Sequence, residues 1–195
     1  MRFRYLAAIS ALAIGLFAVP ARADFFITPF TGVTFSGDTP ANRFVYGATF
    51  GFTGNSPLGF EIDFGHAPNF FDVDDEFFDF EGKLSITTLM FNLSVGGAPI
   101  GGGVRPFVSG GMGLLRGSVK DVDDFFDDVT RNDFALNLGG GLSGYFNDHI
   151  GIRGDVRYFR SLTGEDNDGF ILDPTKFDLG DFDFWRGSVG VTFKF

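Results

Sequence analysis

The sequence predicts an all-β chain: a closed antiparallel up-and-down transmembrane β-barrel of about eight strands. Three observations lead there. Large apolar and small polar residues alternate with period two through eight separate segments, the pattern of strands with two unlike faces. The connectors between these segments alternate in length by parity. Acidic residues gather in the longer ones, with six in 70–82, five in 121–128 and seven in 165–183, out of 25 in the chain.

Ahead of the strands, residues 1–23 read as a cleaved signal peptide. Arg2 and Arg4 give a basic start, Leu6 to Val19 is almost wholly apolar, and Ala21-Arg22-Ala23 is a small-x-small cleavage pattern. That apolar run is shorter than the ~20 residues a membrane-spanning helix requires. The barrel domain is therefore expected over 24–195. It keeps twelve basic against 25 acidic side chains, a net charge of −13, which disfavours any nucleic-acid partner. There is no cysteine, so an exported chain of this kind is held by packing and backbone pairing alone.

The strands are expected at about 25–35, 43–52, 59–66, 84–95, 105–116, 134–146, 149–159 and 185–195. The sixth shows the alternation most plainly. Phe134, Leu136, Leu138, Leu142 and Phe146 share one face, while Ala135, Asn137, Gly139, Gly141, Ser143 and Tyr145 share the other. In the eighth, Trp185, Val189, Val191, Phe193 and Phe195 oppose Arg186, Ser188, Thr192 and Lys194. The connectors at 53–59, 96–103 and 147–149 are short or Gly-rich; those at 67–82, 117–132 and 160–183 are long and acidic. An even meander puts each set at its own end of the barrel.

A soluble barrel would turn the apolar faces inward, but an eight-stranded lumen has room for little more than one layer of side chains. Turned outward, those faces make a lipid-facing belt, and the small polar set with a few charges fills the interior. Closure then pairs every backbone N–H and C=O without water. Phe44, Tyr46, Phe52, Tyr145, Phe146, Tyr158 and Trp185 are candidates for the aromatic girdles at the interfaces.

The Ala-Arg-Ala cleavage pattern, the eight alternating segments, the short and long connectors, and the closing Gly-Ser-Val-Gly-Val-Thr-Phe-Lys-Phe resemble the small eight-stranded outer-membrane barrels, the OmpA-type and opacity-protein-like family. The resemblance covers essentially all of 24–195. It implies residence in the outer membrane of a Gram-negative-type cell. It also implies that Phe193 and Phe195 are the assembly signal read by the barrel-assembly machinery.

On the inward face the sequence places Glu61 and Asp63 on strand three, Arg153, Asp155 and Arg157 on strand seven, and Arg186 and Lys194 on strand eight. Strands three and seven stand opposite each other, so Asp63 and Arg153 are expected to meet across the lumen in a salt-bridge network. Buried charges require such pairing. The network either plugs and orders the barrel or gates a narrow ion path. The tracts Phe70-Phe-Asp-Val-Asp-Asp-Glu-Phe-Phe-Asp-Phe-Glu-Gly82 and Val122-Asp-Asp-Phe-Phe-Asp-Asp128 offer Asp72, Asp74, Asp75, Glu76, Asp123, Asp124, Asp127 and Asp128 as weak divalent-cation ligands. No cofactor is expected.

Hydrolytic chemistry needs a base beside a nucleophile, and His66 and His149 are the histidines present. His66 shares parity with lipid-facing Phe60, Ile62 and Phe64, and His149 falls in a turn, so no enzyme is expected. The expected function is an outer-membrane barrel with a largely plugged lumen and long acidic, Phe-rich outer loops, serving envelope integrity and surface interaction. A small ion-conducting pore is the alternative, and a rim-located lipid-modifying or proteolytic enzyme the third. Its partners would be outer-membrane lipids, the assembly machinery, and an external ligand or host surface.

Overall fold

The computed structural model describes residues 24–38, 42–53, 57–72, 82–100, 103–121, 129–162 and 182–195. Eight strands follow one another: β1 (Asp24–Gly37), β2 (Arg43–Thr53), β3 (Leu58–Asp72), β4 (Gly82–Gly96), β5 (Arg105–Asp121), β6 (Val129–Tyr145), β7 (Ile150–Ser161) and β8 (Asp183–Lys194). Each pairs antiparallel with the next, and β8 returns to β1 to close the barrel. The seam runs to the last residue, where Phe195 N–H donates to Phe25 O at 2.8 Å.

Strands β3 to β6 run further toward the outer end than loss of apolar alternation suggested. Asp72 pairs with Lys83, Gly82 with Asp121, and Val119 with Val129. Backbone pairing is indifferent to side-chain polarity, so a strand continues after its lipid-facing stripe has stopped. The connectors 73–81 and 122–128 are correspondingly shorter than expected, and they lie outside the described residues with 163–181 and 1–23.

The barrel is strongly sheared. The row of cross-strand partners that leaves β1 at Phe26 passes Gly51, Glu61, Asn92, Gly111, Asn137, Phe159 and Phe184 and meets β1 again at Gly37. Rows therefore climb outward from β1 to β8, as the tilt of strands in a closed barrel requires. At the outer end of β1 the register shifts between Phe35 and Gly37, and Ser36 and Gly37 both have positive φ. This bulge re-aims the strand end so that Asp38 N–H donates to Asp183 O and Asp183 N–H to Asp38 Oδ2, both at 3.0 Å.

The wall has two chemistries. Phe50, Phe60, Ile62, Phe64, Phe91, Leu93, Met112, Leu114, Leu136 and Val191 are exposed on its outside. Inward residues are buried, but they are less polar than the sequence suggested. Toward the outer end Val45, Ala67, Ile86, Met90, Leu115, Ala135, Phe159, Phe182 and Phe184 form one apolar cluster. Phe26, Phe30 and Phe107 also point inward and are buried. Glycines make room for them: a methyl group on Gly51 would strike the Phe26 ring, and one on Gly47 the Phe30 ring.

Candidate functional site

The charged residues of β3, β7 and β8 converge in mid-lumen. The Arg153 guanidinium reaches both oxygens of Glu61, Nη1 to Oε1 and Nη2 to Oε2, each at 2.9 Å. Such a fork on a carboxylate is the strongest geometry for an ion pair. Arg157 donates from Nη2 to Glu61 Oε2 at 3.2 Å and from Nε to Asp155 Oδ1 at 3.1 Å. Its Nη1 stands 4.0 Å from Asp63. Arg186 Nη2 lies 2.9 Å from both oxygens of Asp63, which also accepts from Thr49 Oγ1 at 2.9 Å. Ser188 Oγ donates to Asp155 at 3.0 Å.

All six ionic groups are buried, and three cations balance three anions. Asp63 and Arg153 do not face each other as equal counts along their strands suggested. Three strands lie between theirs on either side of the barrel, and the climbing rows leave Arg153 lower, level with Glu61, while Asp63 sits one pleat further out beside Arg186. Aromatic rings pack against the guanidinium groups. Arg153 lies 3.8 Å from the Phe107 centroid and 5.6 Å from that of Phe26; Arg186 lies 4.6 and 4.9 Å from those of Phe30 and Phe159. A ring face attracts a weakly hydrated guanidinium, so these phenyl groups stand where water would.

Sequence reasoning missed these rings and the apolar layer above them. A usable signal existed in stretches where both parities are apolar, such as Phe44-Val45-Tyr46, Leu114-Leu115 and Tyr158-Phe159. Between that layer and the charges lies a cavity of about 10 Å³ touched by Thr34, Gly65, Thr88 and Arg186, enough for one water. On the facing wall the side-chain amides of Asn92 and Asn137 and the hydroxyl of Ser109 are buried and have no hydrogen-bond partner among the described residues.

Other expected residues lie elsewhere. Lys194 stays outside the network, 2.9 Å from Asp24 and over the Tyr145 ring at the inner mouth. Tyr145 therefore belongs to that mouth and not to the lipid girdle, since its parity is that of Ser143. His149 is exposed in the turn after β6, where Asn147 Oδ1 accepts from the His149 and Ile150 amides. His66 Nδ1 lies 2.9 Å from Thr87 Oγ1, its cross-strand partner on the outward face. Phe193 and Phe195 are exposed at the end of β8. Asp72 ends β3; Asp74, Asp75, Glu76, Asp123, Asp124, Asp127 and Asp128 lie outside the described residues, among which no carboxylate or histidine cluster could hold a metal ion.

A family model described as the outer membrane protein beta-barrel domain matches residues 6–195. The chain belongs to the outer membrane β-barrel protein family. Solved structures share its fold at low identity. Neisserial surface protein A aligns with TM-score 0.62 and 18% identity over 89% of this chain and 99% of its own. The N-terminal barrel domain of Pseudomonas aeruginosa OprF aligns at 0.55 and 19% over 88% and 97%. The attachment invasion locus protein Ail of Yersinia pestis, solved with a heparin analogue, aligns at 0.56 and 12% over 89% and 99%. A search of curated proteins finds no match.

Proposed function

We propose that this protein is a non-enzymatic outer-membrane barrel with a plugged lumen. It is exported by a cleaved signal peptide to the outer membrane of a Gram-negative-type cell, where it supports envelope integrity and presents acidic, Phe-rich loops for surface interaction. The observation that carries the plug is the neutral six-charge network held against phenyl rings beneath an apolar layer. An ion on this path would have to separate buried pairs and then cross a layer that is apolar over most of its lining, and both steps are costly. In planar bilayers wild-type protein and Arg153→Ala are expected to show negligible conductance, since the apolar layer remains in both. Discrete current steps in Arg153→Ala would replace the plug with a gate.

The polar wall of Asn92, Ser109 and Asn137 supports the second reading, a small pore. Unpartnered buried amides cost about 1–3 kcal/mol each when dry, which favours water beside them. Measurable current from wild-type protein would decide for it. The His66–Thr87 hydrogen bond supports the third, a rim hydrolase, more weakly. A nucleophile–histidine pair works when a further group orients the imidazole, and the neighbours of this pair across the sheet are Tyr46 and Arg116. The surface and attachment roles for which Neisserial surface protein A and the Yersinia attachment invasion locus protein are named support a surface role.

A further inference from the structure

On the outside of the barrel, direct cross-strand partners on four successive strands form the row Tyr46–His66–Thr87–Arg116. The parallel row one pleat nearer the inner end is Ala48–Phe64–Leu89–Leu114, which is apolar throughout. One pleat beyond, Ser85 and Ser118 are partners, and Ser85 Oγ donates to the Ser118 carbonyl at 3.4 Å. The wall thus passes from hydrocarbon chemistry to hydroxyl chemistry across a single row. Since rows climb outward from β2 to β5, Arg116 is the outermost of the four and Tyr46 the innermost.

Arg116 differs from every arginine of the lumen. It is exposed on the outward face and makes no hydrogen bond or ion pair among the described residues. Beside it Thr87 presents a hydroxyl whose partner is the His66 imidazole, and Tyr46 packs edge-on to His66 at 5.6 Å between centroids. A cation, a hydroxyl and an imidazole side by side are donors suited to phosphate oxygens, and the phenyl and leucine side chains directly below suit acyl chains. We propose that Arg116, Thr87 and His66 hold the phosphate of an anionic lipid in the outer leaflet, its chains lying along Phe64, Leu89 and Leu114. This rests on outer-membrane residence and is independent of whether the lumen conducts.

The test uses full-length barrel in nanodiscs of mixed phosphatidylcholine and phosphatidylglycerol, with retained lipids read by native mass spectrometry. Heat-modifiable migration on a gel first verifies that each variant is folded and inserted, so a failed barrel is told apart from a failed site. Wild-type protein is expected to enrich phosphatidylglycerol. Arg116→Ala should lower that enrichment about fivefold, the effect of one basic residue at a charged membrane surface, and Arg116→Lys should keep most of it. Arg160→Ala, on the β7 side of the rim, should leave it unchanged. No enrichment in wild type, or an equal loss in Arg160→Ala, overturns the site. Displacement of the lipid by inorganic phosphate overturns it in favour of a free-anion site. Release of fatty acid that Thr87→Ala abolishes overturns it in favour of hydrolysis.

Discussion

Arg157 is the residue on which the lumen turns, because its guanidinium reaches Glu61, Asp155 and Asp63 from the centre of the network. Arg157→Met keeps much of the volume but leaves one carboxylate too many in a buried site. Removing one member of a buried pair costs about 3–5 kcal/mol. Urea unfolding followed through Trp185, the single tryptophan, should show a loss of that size. The double variant Glu61→Gln, Arg153→Met should lose less than its single variants combined, since each removes the other's orphan. Gly139→Ala tests the space around Arg157, because a methyl there would overlap the Arg157 stem and the Val156 carbonyl. It should cost about 1–3 kcal/mol by overpacking, measured in the same assay. The members of this network were legible in sequence, since strand parity sets inward against outward. Their partners were not, because depth depends on shear, and shear depends on pairing that no single strand displays.

At the scale of elements the same division holds. Period two revealed each strand wherever one face was apolar and the other small, as in β6 and β8. It was blind where the apolar stripe gives way to polar residues, as at the outer ends of β5 and β6, which were read as connector. It was blind again where apolar residues stand on both faces, which hid Val45, Leu115 and Phe159 of the outer lumen layer. The seam between β1 and β8 separates two roles for Phe195. Its backbone exchanges hydrogen bonds with Phe25 at 2.8 and 3.3 Å, and the two rings stack at 6.0 Å. If Phe195 is also the signal for the assembly machinery, Phe195→Ala should keep the backbone bonds and refold in detergent nearly as wild type, yet reach the outer membrane poorly in cells. Equal yields in both settings would confine Phe195 to the seam.

The whole molecule is polarised along its axis. The termini and the connectors 54–57, 97–104 and 146–149 share one end, while 38–42, 73–81, 122–128 and 162–182 share the other. Aromatic side chains stand toward the outer ends of β2, β3, β7 and β8, at Tyr46, His66, Tyr158 and Trp185: Tyr158 and Trp185 are in contact with rings 5.3 Å apart, and Tyr158 donates to Asp183 at 2.8 Å just beyond them. The connectors that follow these strands at that end carry most of the chain's acids in sequence. Repulsion of like charge extends roughly 8 Å in physiological salt, and we propose that the acidic connectors at this end act together as a negative surface. Such a surface accelerates encounter with cationic partners and rejects polyanions. The heparin analogue bound to the Yersinia attachment protein is a polyanion, and at 12% identity the shared fold says nothing of shared surface chemistry. Immobilised barrels in zwitterionic nanodiscs should therefore fail to capture heparin at physiological salt but should capture polylysine, with affinity that falls as salt rises. Replacing Asp123, Asp124, Asp127 and Asp128 by Asn should weaken polylysine binding and reduce its salt dependence. Heparin capture by the unmodified barrel would mean that basic groups, and not these acids, set the chemistry of the outer mouth.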